Sequence, residues 1–187
     1  MRDRDRDRIA EAPADRIAEA LGCGIGAGLV ERLMAEPRLR LRLVDITVGR
    51  LGPTGALNQA QAAILGMARG ALDALALRVG AVWHARGAAR IIDGPTRRML
   101  TARWGDDVVA FALNGLPLAP PDEPVDLAPE TMVALAPAEG SACLAAWCAV
   151  QPAPIASRIA LVRPPASWAP KHRSWGPAIV DWAAGHP

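Results

Sequence analysis

The sequence predicts a mainly α-helical fold, and three observations carry that expectation. Its apolar content of 51% is built mostly from Ala, Leu and Val, with one Phe and no Tyr, a palette that suits helices better than sheets. Between Thr54 and Ile92 apolar residues recur three and four apart, the period of one helix face. Proline and glycine fall where helices start and stop. The 187 residues are expected to form a single compact helical bundle, with room for one short strand or hairpin near the C-terminal part. A chain of this size buries on the order of 70% of its unfolded surface, so apolar packing suffices without disulfide or metal.

Residues 1–12 begin with alternating Arg and Asp. Such a run has nothing to bury and is expected to be a charged mobile tail outside the fold. Residues 13–187 are expected to be one helical domain. Asp15 is placed to cap a short helix carrying Ile17 and Leu21, ended by the cluster Gly22, Gly24, Gly26 and Gly28. Another helix begins near Leu29 and is punctuated at Pro37. From Leu39 to Leu51 the text RLRLRLVDIT alternates as a strand would, while its flanks look like a helix feeding a turn at Gly52-Pro53; both readings stay open.

The strongest pattern follows: Leu57, Ile64, Leu65, Ala68, Leu72, Leu75, Val79 and Val82 make one apolar stripe, a central helix or two in succession. Gly66, Gly70 and Ala71 are small enough to admit a neighbouring helix closely, against a cost of about 1 kcal/mol for glycine in a helix interior. Asp93-Gly94-Pro95 stops this element, and Pro95 with Thr96 starts the next, carrying Met99, Leu100 and Trp104 inward to Gly105. Asp106 is placed to cap a short helix with Val108, Val109, Phe111 and Ala112, ending at Asn114-Gly115. Residues 116–129 are too rich in proline for regular structure and form an extended connection. Ser141 to Val150 reads as a helix with Leu144, Trp147 and Cys148 on one face, and 158–163 as a helix end or a short strand. Residues 164–187, with Trp168, Trp175 and Trp182, read as an arm laid on the core through its aromatic side chains.

Chemistry is sparse. Net charge is +2, and Lys171 is the one basic residue of 21 that is not Arg. Three cysteines, Cys23, Cys143 and Cys148, cannot all pair, and MRDRDRDRIAEA offers no secretory signal, which points to a reducing cytosol. Arg69, Asp73 and Arg78 interrupt the best bilayer-like run, between Ala56 and Val82, so no membrane insertion is expected. Gly22-x-Gly24-x-x-Ala27 with Asp45 downstream imitates a dinucleotide fingerprint, but charged helical sequence precedes it where a buried strand is required. Cys143 and Cys148 are spaced as apolar fillers and not as a zinc knuckle. His84, His172 and His186 have no ligand-like neighbours, and Ser141, Ser157, Ser167 and Ser174 lack the setting of a nucleophile. Asp106 and Asp107 fit a helix start better than an acid and base pair. No catalytic, cofactor or metal residues are assigned. Arg78, Arg86, Arg90, Arg97, Arg98 and Arg103 would make a basic face, yet the near-neutral charge speaks against nucleic acid.

Two stretches carry a family resemblance. RVGAVWHARGAARIIDGPTRRMLTARWGDDVVAFAL, from Arg78 to Leu113, and SACLAAWCAVQPAPIASRIALVRP, from Ser141 to Pro164, resemble the SctK family, cytosolic sorting-platform adaptors of bacterial type III secretion systems. The resemblance implies a non-enzymatic adaptor, cytoplasmic and peripheral to the inner membrane through the secretion complex. Its implied partners are the cytosolic forkhead-associated-like domain of the inner-membrane ring protein and the pod protein. Interaction residues are then expected at Arg86, Arg90, Arg97 and Arg98 for an acidic partner and at Trp168 and Trp175 for an apolar contact. The residues taken alone also leave room for a small-molecule-binding helical protein, from the glycine cluster and the Trp83-His84 pair, or a helical DNA-binding regulator, from the arginines.

Overall fold

A computed structural model describes residues 2–22 and 24–186 of the chain. All regular structure among them is helical. The order is α1 (Arg2–Glu11), α2 (Ala14–Leu21), α3 (Ala27–Ala35), α4 (Pro37–Leu51), α5 (Gln59–Gly66) and α6 (Arg69–Trp83). There follow α7 (Ala85–Ala88), α8 (Gly94–Trp104), α9 (Asp106–Asn114), a 3₁₀ turn (Leu116–Leu118), α10 (Pro129–Ala149), α11 (Ala153–Val162) and α12 (Pro170–Gly185). The all-α expectation holds, and both segments left open are helical: α4 covers 39–51 and α11 covers most of 158–163. Pro37 at the start of α4 supplies a preset helical φ, and Leu43, Val44, Thr47 and Leu51 are buried at helical spacing. The Arg-Leu alternation is therefore the text of a helix whose first turns face water.

The chain, expected as one helical domain over 13–187, divides into two compact units, Met1–Arg69 with Gln151–Pro164 and Gly70–Val150 with Pro165–Pro187. Of the two readings for the stripe between Thr54 and Ile92, the structure has helices in succession, α5 and α6, followed by the short α7. Residues 54–58 are irregular, α5 ends at Gly66, and Met67 is extended (φ −80°, ψ 135°) before α6 begins. Arg8 of α1 donates to the Ile64 carbonyl at 3.3 Å, which also accepts the capping Met67 amide at 3.1 Å, and to the Met67 carbonyl just past the helix end.

In the first unit, Ile9, Ile17, Leu21, Val30, Leu43, Val44, Leu51 and Leu161 form the core. The expected mobile tail at 1–12 is corrected here: α1 is packed, with Ile9 fully buried and Asp5, four residues earlier on the same face, buried too. Arg158 of α11, only 4% exposed, is the reason. Its Nε and Nη2 hold the Asp5 carboxylate at 3.1–3.2 Å. Nη2 also reaches the Gly52 carbonyl at 2.8 Å and Nη1 the Pro154 carbonyl at 2.8 Å. The glycine cluster is a turn, as read: Gly22 (φ 63°) and Gly24 (φ 64°) take the left-handed conformation after α2. Asp15 does not cap α2 through its side chain; Pro13 holds that position.

In the second unit, α10 is the central helix. It starts at Pro129, a full twelve residues before the predicted Ser141, with Pro137 inside it. A Cβ on Gly80 would lie 1.7 Å from the Ala136 carbonyl oxygen, and one on Gly140 would lie 1.7 Å from the Ala76 carbonyl oxygen. The two helices α6 and α10 thus cross backbone on backbone at reciprocal Ala-x-x-x-Gly steps. Close approach was expected at Gly66, Gly70 and Ala71; Gly70 instead faces open space and Ala71 is exposed. On its other side α10 meets α12, where Gly176 sits against Cys143. The expected arm at 164–187 is corrected to an irregular lead-in and a full helix with Ile179, Val180, Ala183 and Ala184 buried.

By length and composition α10 is apolar enough to span a bilayer, half of its window being buried in the fold. It replaces 56–82 as the most bilayer-like stretch, and its apolar surface is spent on α6 and α12. At α8 the Asp93 carboxylate accepts the Thr96 amide at 2.8 Å, a cap where the sequence reading saw only the stop of the preceding helix, and Pro95 is the second helical residue and not the first. Asp106 is the first residue of α9 and makes no side-chain cap; Asp107 instead pairs with Arg78 at 3.5 Å.

Candidate protein-interaction surfaces and a buried polar cluster

The four arginines singled out for an acidic partner divide into two pairs. Arg86 and Arg90, on and just after α7, secure the proline-rich connection: Arg86 Nε donates to the Ala119 carbonyl at 3.1 Å, and Arg90 meets Asp126 at 3.4 Å. Together they line a shallow cleft of about 590 Å³ whose other wall carries Asp122, Glu123 and Asp126. Acids of the chain already face these two cations. Arg97 and Arg98 project from the first turn of α8 and are exposed.

Trp168 lies in the lead-in to α12 at 37% exposure, while Trp175 is half-buried on α12. Trp182 is occupied within the unit, its ring tilted 48° against Phe111 at a centroid distance of 4.7 Å. Of the two tryptophans expected to meet a partner, Trp168 is thus the more open.

Sequence reasoning missed the polar centre of the second unit. Trp83 ends α6, His84 joins it to α7, and Lys171 and His172 lie in the first turn of α12, so this cluster is assembled by tertiary packing. The Trp83 and His172 rings stack at 4.8 Å, and Lys171 Nζ stands 5.3 Å over the Trp83 ring. His172 Nδ1 accepts the Ala169 amide at 2.9 Å, which leaves Nε2 as the protonated nitrogen donating to Glu139 of α10. Lys171 adds ion pairs to Glu123 at 3.3 Å and Glu139 at 3.6 Å. Burial raises the Glu139 pKa, but the His172 hydrogen bond and the Lys171 charge outweigh it and hold the carboxylate below its usual range.

His84, 2% exposed, has no hydrogen-bond partner on either ring nitrogen. Burial pushes its pKa down, Lys171 adding to this and Glu123 and Glu139 opposing it. Cys143 is likewise buried and its thiol is driven upward, away from the reactive thiolate. Cys23 lies outside the described residues. Among those described, no three His, Cys, Asp or Glu side chains are grouped to hold a metal ion. The signal available in the sequence was a histidine beside a tryptophan, Trp83-His84, and a second histidine beside the one lysine, Lys171-His172, and nothing local says that they meet.

Against known proteins, the chain aligns with the nodulation protein NolU of Rhizobium fredii at 29% identity over 149 residues, 80% of this chain and 68% of NolU. The chain is a distant relative of NolU. The same identity and coverage hold for NolU of Sinorhizobium fredii. No family model matches the sequence, and no solved structure matches it. The likeness to NolU therefore spans both units, since 80% of the chain exceeds either one alone.

Proposed function

We propose that the chain is a non-enzymatic adaptor of a type III secretion sorting platform, joining the cytosolic part of the inner-membrane ring to the pod protein. The supporting observation is the pair of SctK-like stretches, 78–113 and 141–164. The first supplies most of the packed middle of the second unit, and the second contributes the end of α10 and all of α11. A protein that links two partners needs a firm helical body with separate exposed surfaces, and two exposed surfaces are present in Arg97 with Arg98 and in Trp168. The reading against DNA gains from the geometry, because Asp126 and its neighbours already face Arg86 and Arg90.

The test is affinity purification of the tagged full chain from its own host, with the neighbouring genes intact, followed by mass spectrometry. A ring component and a pod component are expected in the eluate, with export abolished on deletion. Recovery of neither component, together with intact export, would sink the proposal.

A further inference from the structure

Helix α4 buries Leu43, Val44, Thr47 and Leu51 and leaves the opposite side uncovered. Leu41 is 70% exposed, Leu39 47% and Ile46 45%, three large apolar side chains in solvent on one helix. At 3.6 residues per turn, Leu39 and Ile46 fall on one flank and Leu41 on the other, roughly 160° away, with Arg38 and Arg42 in the row between. Among the described residues, Arg38, Arg40 and Arg42 form no ion pair. The helix's one acid, Asp45, is held by Arg6 at 2.9 Å. The face therefore combines unneutralised guanidinium groups at its crest with leucine and isoleucine on both shoulders.

We propose that α4 docks into a groove of a partner protein that has an acidic floor and apolar walls. Carboxylates on the floor would meet the Arg38 and Arg42 forks, a planar two-point match that guanidinium makes well. The walls would cover Leu41 on one side and Leu39 with Ile46 on the other, in the manner of a helix seated in a groove. A flat anionic bilayer fits less well, because it meets one flank at a time and would leave the other in water. This inference rests on the adaptor reading and gives that adaptor one specific docking element.

The experiment places a photo-crosslinking amino acid at Leu41 and, separately, at Ile46 of the full chain in its own host, with crosslinked peptides identified by mass spectrometry. Both positions are expected to capture the same protein, on segments flanked by Asp or Glu. The pair Arg38→Glu with Arg42→Glu should lower the yield by about tenfold or more, the scale expected when charge pairs at an interface are reversed. Helical content checked by circular dichroism, and the milder pair Arg38→Gln with Arg42→Gln giving an intermediate loss, separate docking from misfolding. Lipid adducts, capture from one flank alone, no capture, or a yield indifferent to charge would each overturn the proposal. If the wild-type chain still co-purifies with ring and pod components in those cases, only this inference falls; if it does not, the adaptor reading falls first.

Discussion

Gly140→Ala is the substitution that most directly probes the packing of the second unit. The new Cβ would stand 1.7 Å from the Ala76 carbonyl oxygen, 2.6 Å from its carbonyl carbon and 2.8 Å from the Gly80 amide nitrogen. All three are backbone atoms and no rotamer change can move them aside, so α6 and α10 must separate by more than 1 Å merely to clear 3.0 Å, and further still to reach an ordinary contact of 3.4–4 Å. Separation also loosens Ala76, Val79 and Ala136, which are buried along the crossing. Overpacking of a tight core costs about 3 kcal/mol at the upper end of its common range. Alanine returns about 1 kcal/mol through its helix propensity. The net expectation is a loss of about 2 kcal/mol, or roughly 4–8 °C in Tm for a chain of this size. Gly70→Ala, with nothing within 4 Å of its new Cβ, is the control and should gain up to about 1 kcal/mol from propensity alone. Thermal and urea unfolding followed by tryptophan fluorescence read both. A Gly140→Ala protein as stable as the parent, or destabilised no more than the control, would refute the backbone crossing.

Three further outcomes follow from other sites. Asp5→Ala leaves the buried Arg158 guanidinium without its carboxylate and should cost about 3–5 kcal/mol, whereas the joint change Asp5→Leu with Arg158→Met should recover most of that loss in urea unfolding. His84, kept neutral mainly by burial, binds its proton more weakly in the fold than in the unfolded chain, so stability should decline as pH falls below the unfolded imidazole value of about 6.5. His84→Phe should flatten that dependence in urea midpoints, and an unchanged slope would reject the assignment; Glu139, whose pKa is lowered, acts in a separate and more acidic window. Asn58→Ala removes a reciprocal cap in which Asn58 accepts the Gln61 amide and Gln61 accepts the Asn58 amide, with an expected loss of about 1 kcal/mol in thermal unfolding.

What the sequence makes legible here is local. Ile17 and Leu21 before Gly22, and Leu100 with Trp104 before Gly105, are where short-range rules place them. The failures share a cause, which is information held by residues distant in the chain. The Arg-Asp alternation at the N-terminus reads as solvated until Arg158 supplies the partner of Asp5; an arginine inside the apolar run IASRIALV was the available hint. The stripe from Leu57 to Val82 keeps its period through Met67, so periodicity alone hides the break that Gly66 and Gly70 punctuate. The interaction arginines were legible as residue types, but their partners, the Ala119 carbonyl for Arg86 and Asp126 for Arg90, come from the proline-rich connection, which folds back onto them.

The path of the chain between its two units governs how the protein is made. It leaves the first unit after Arg69, returns for Gln151–Pro164, and finishes in the second, so neither unit is one continuous segment that a truncation could isolate. Asp5 and Arg158 are separated by 153 positions. At translation speeds of about 5–20 residues per second, the emerging α1 waits roughly 8–30 s before the cation that neutralises it leaves the ribosome.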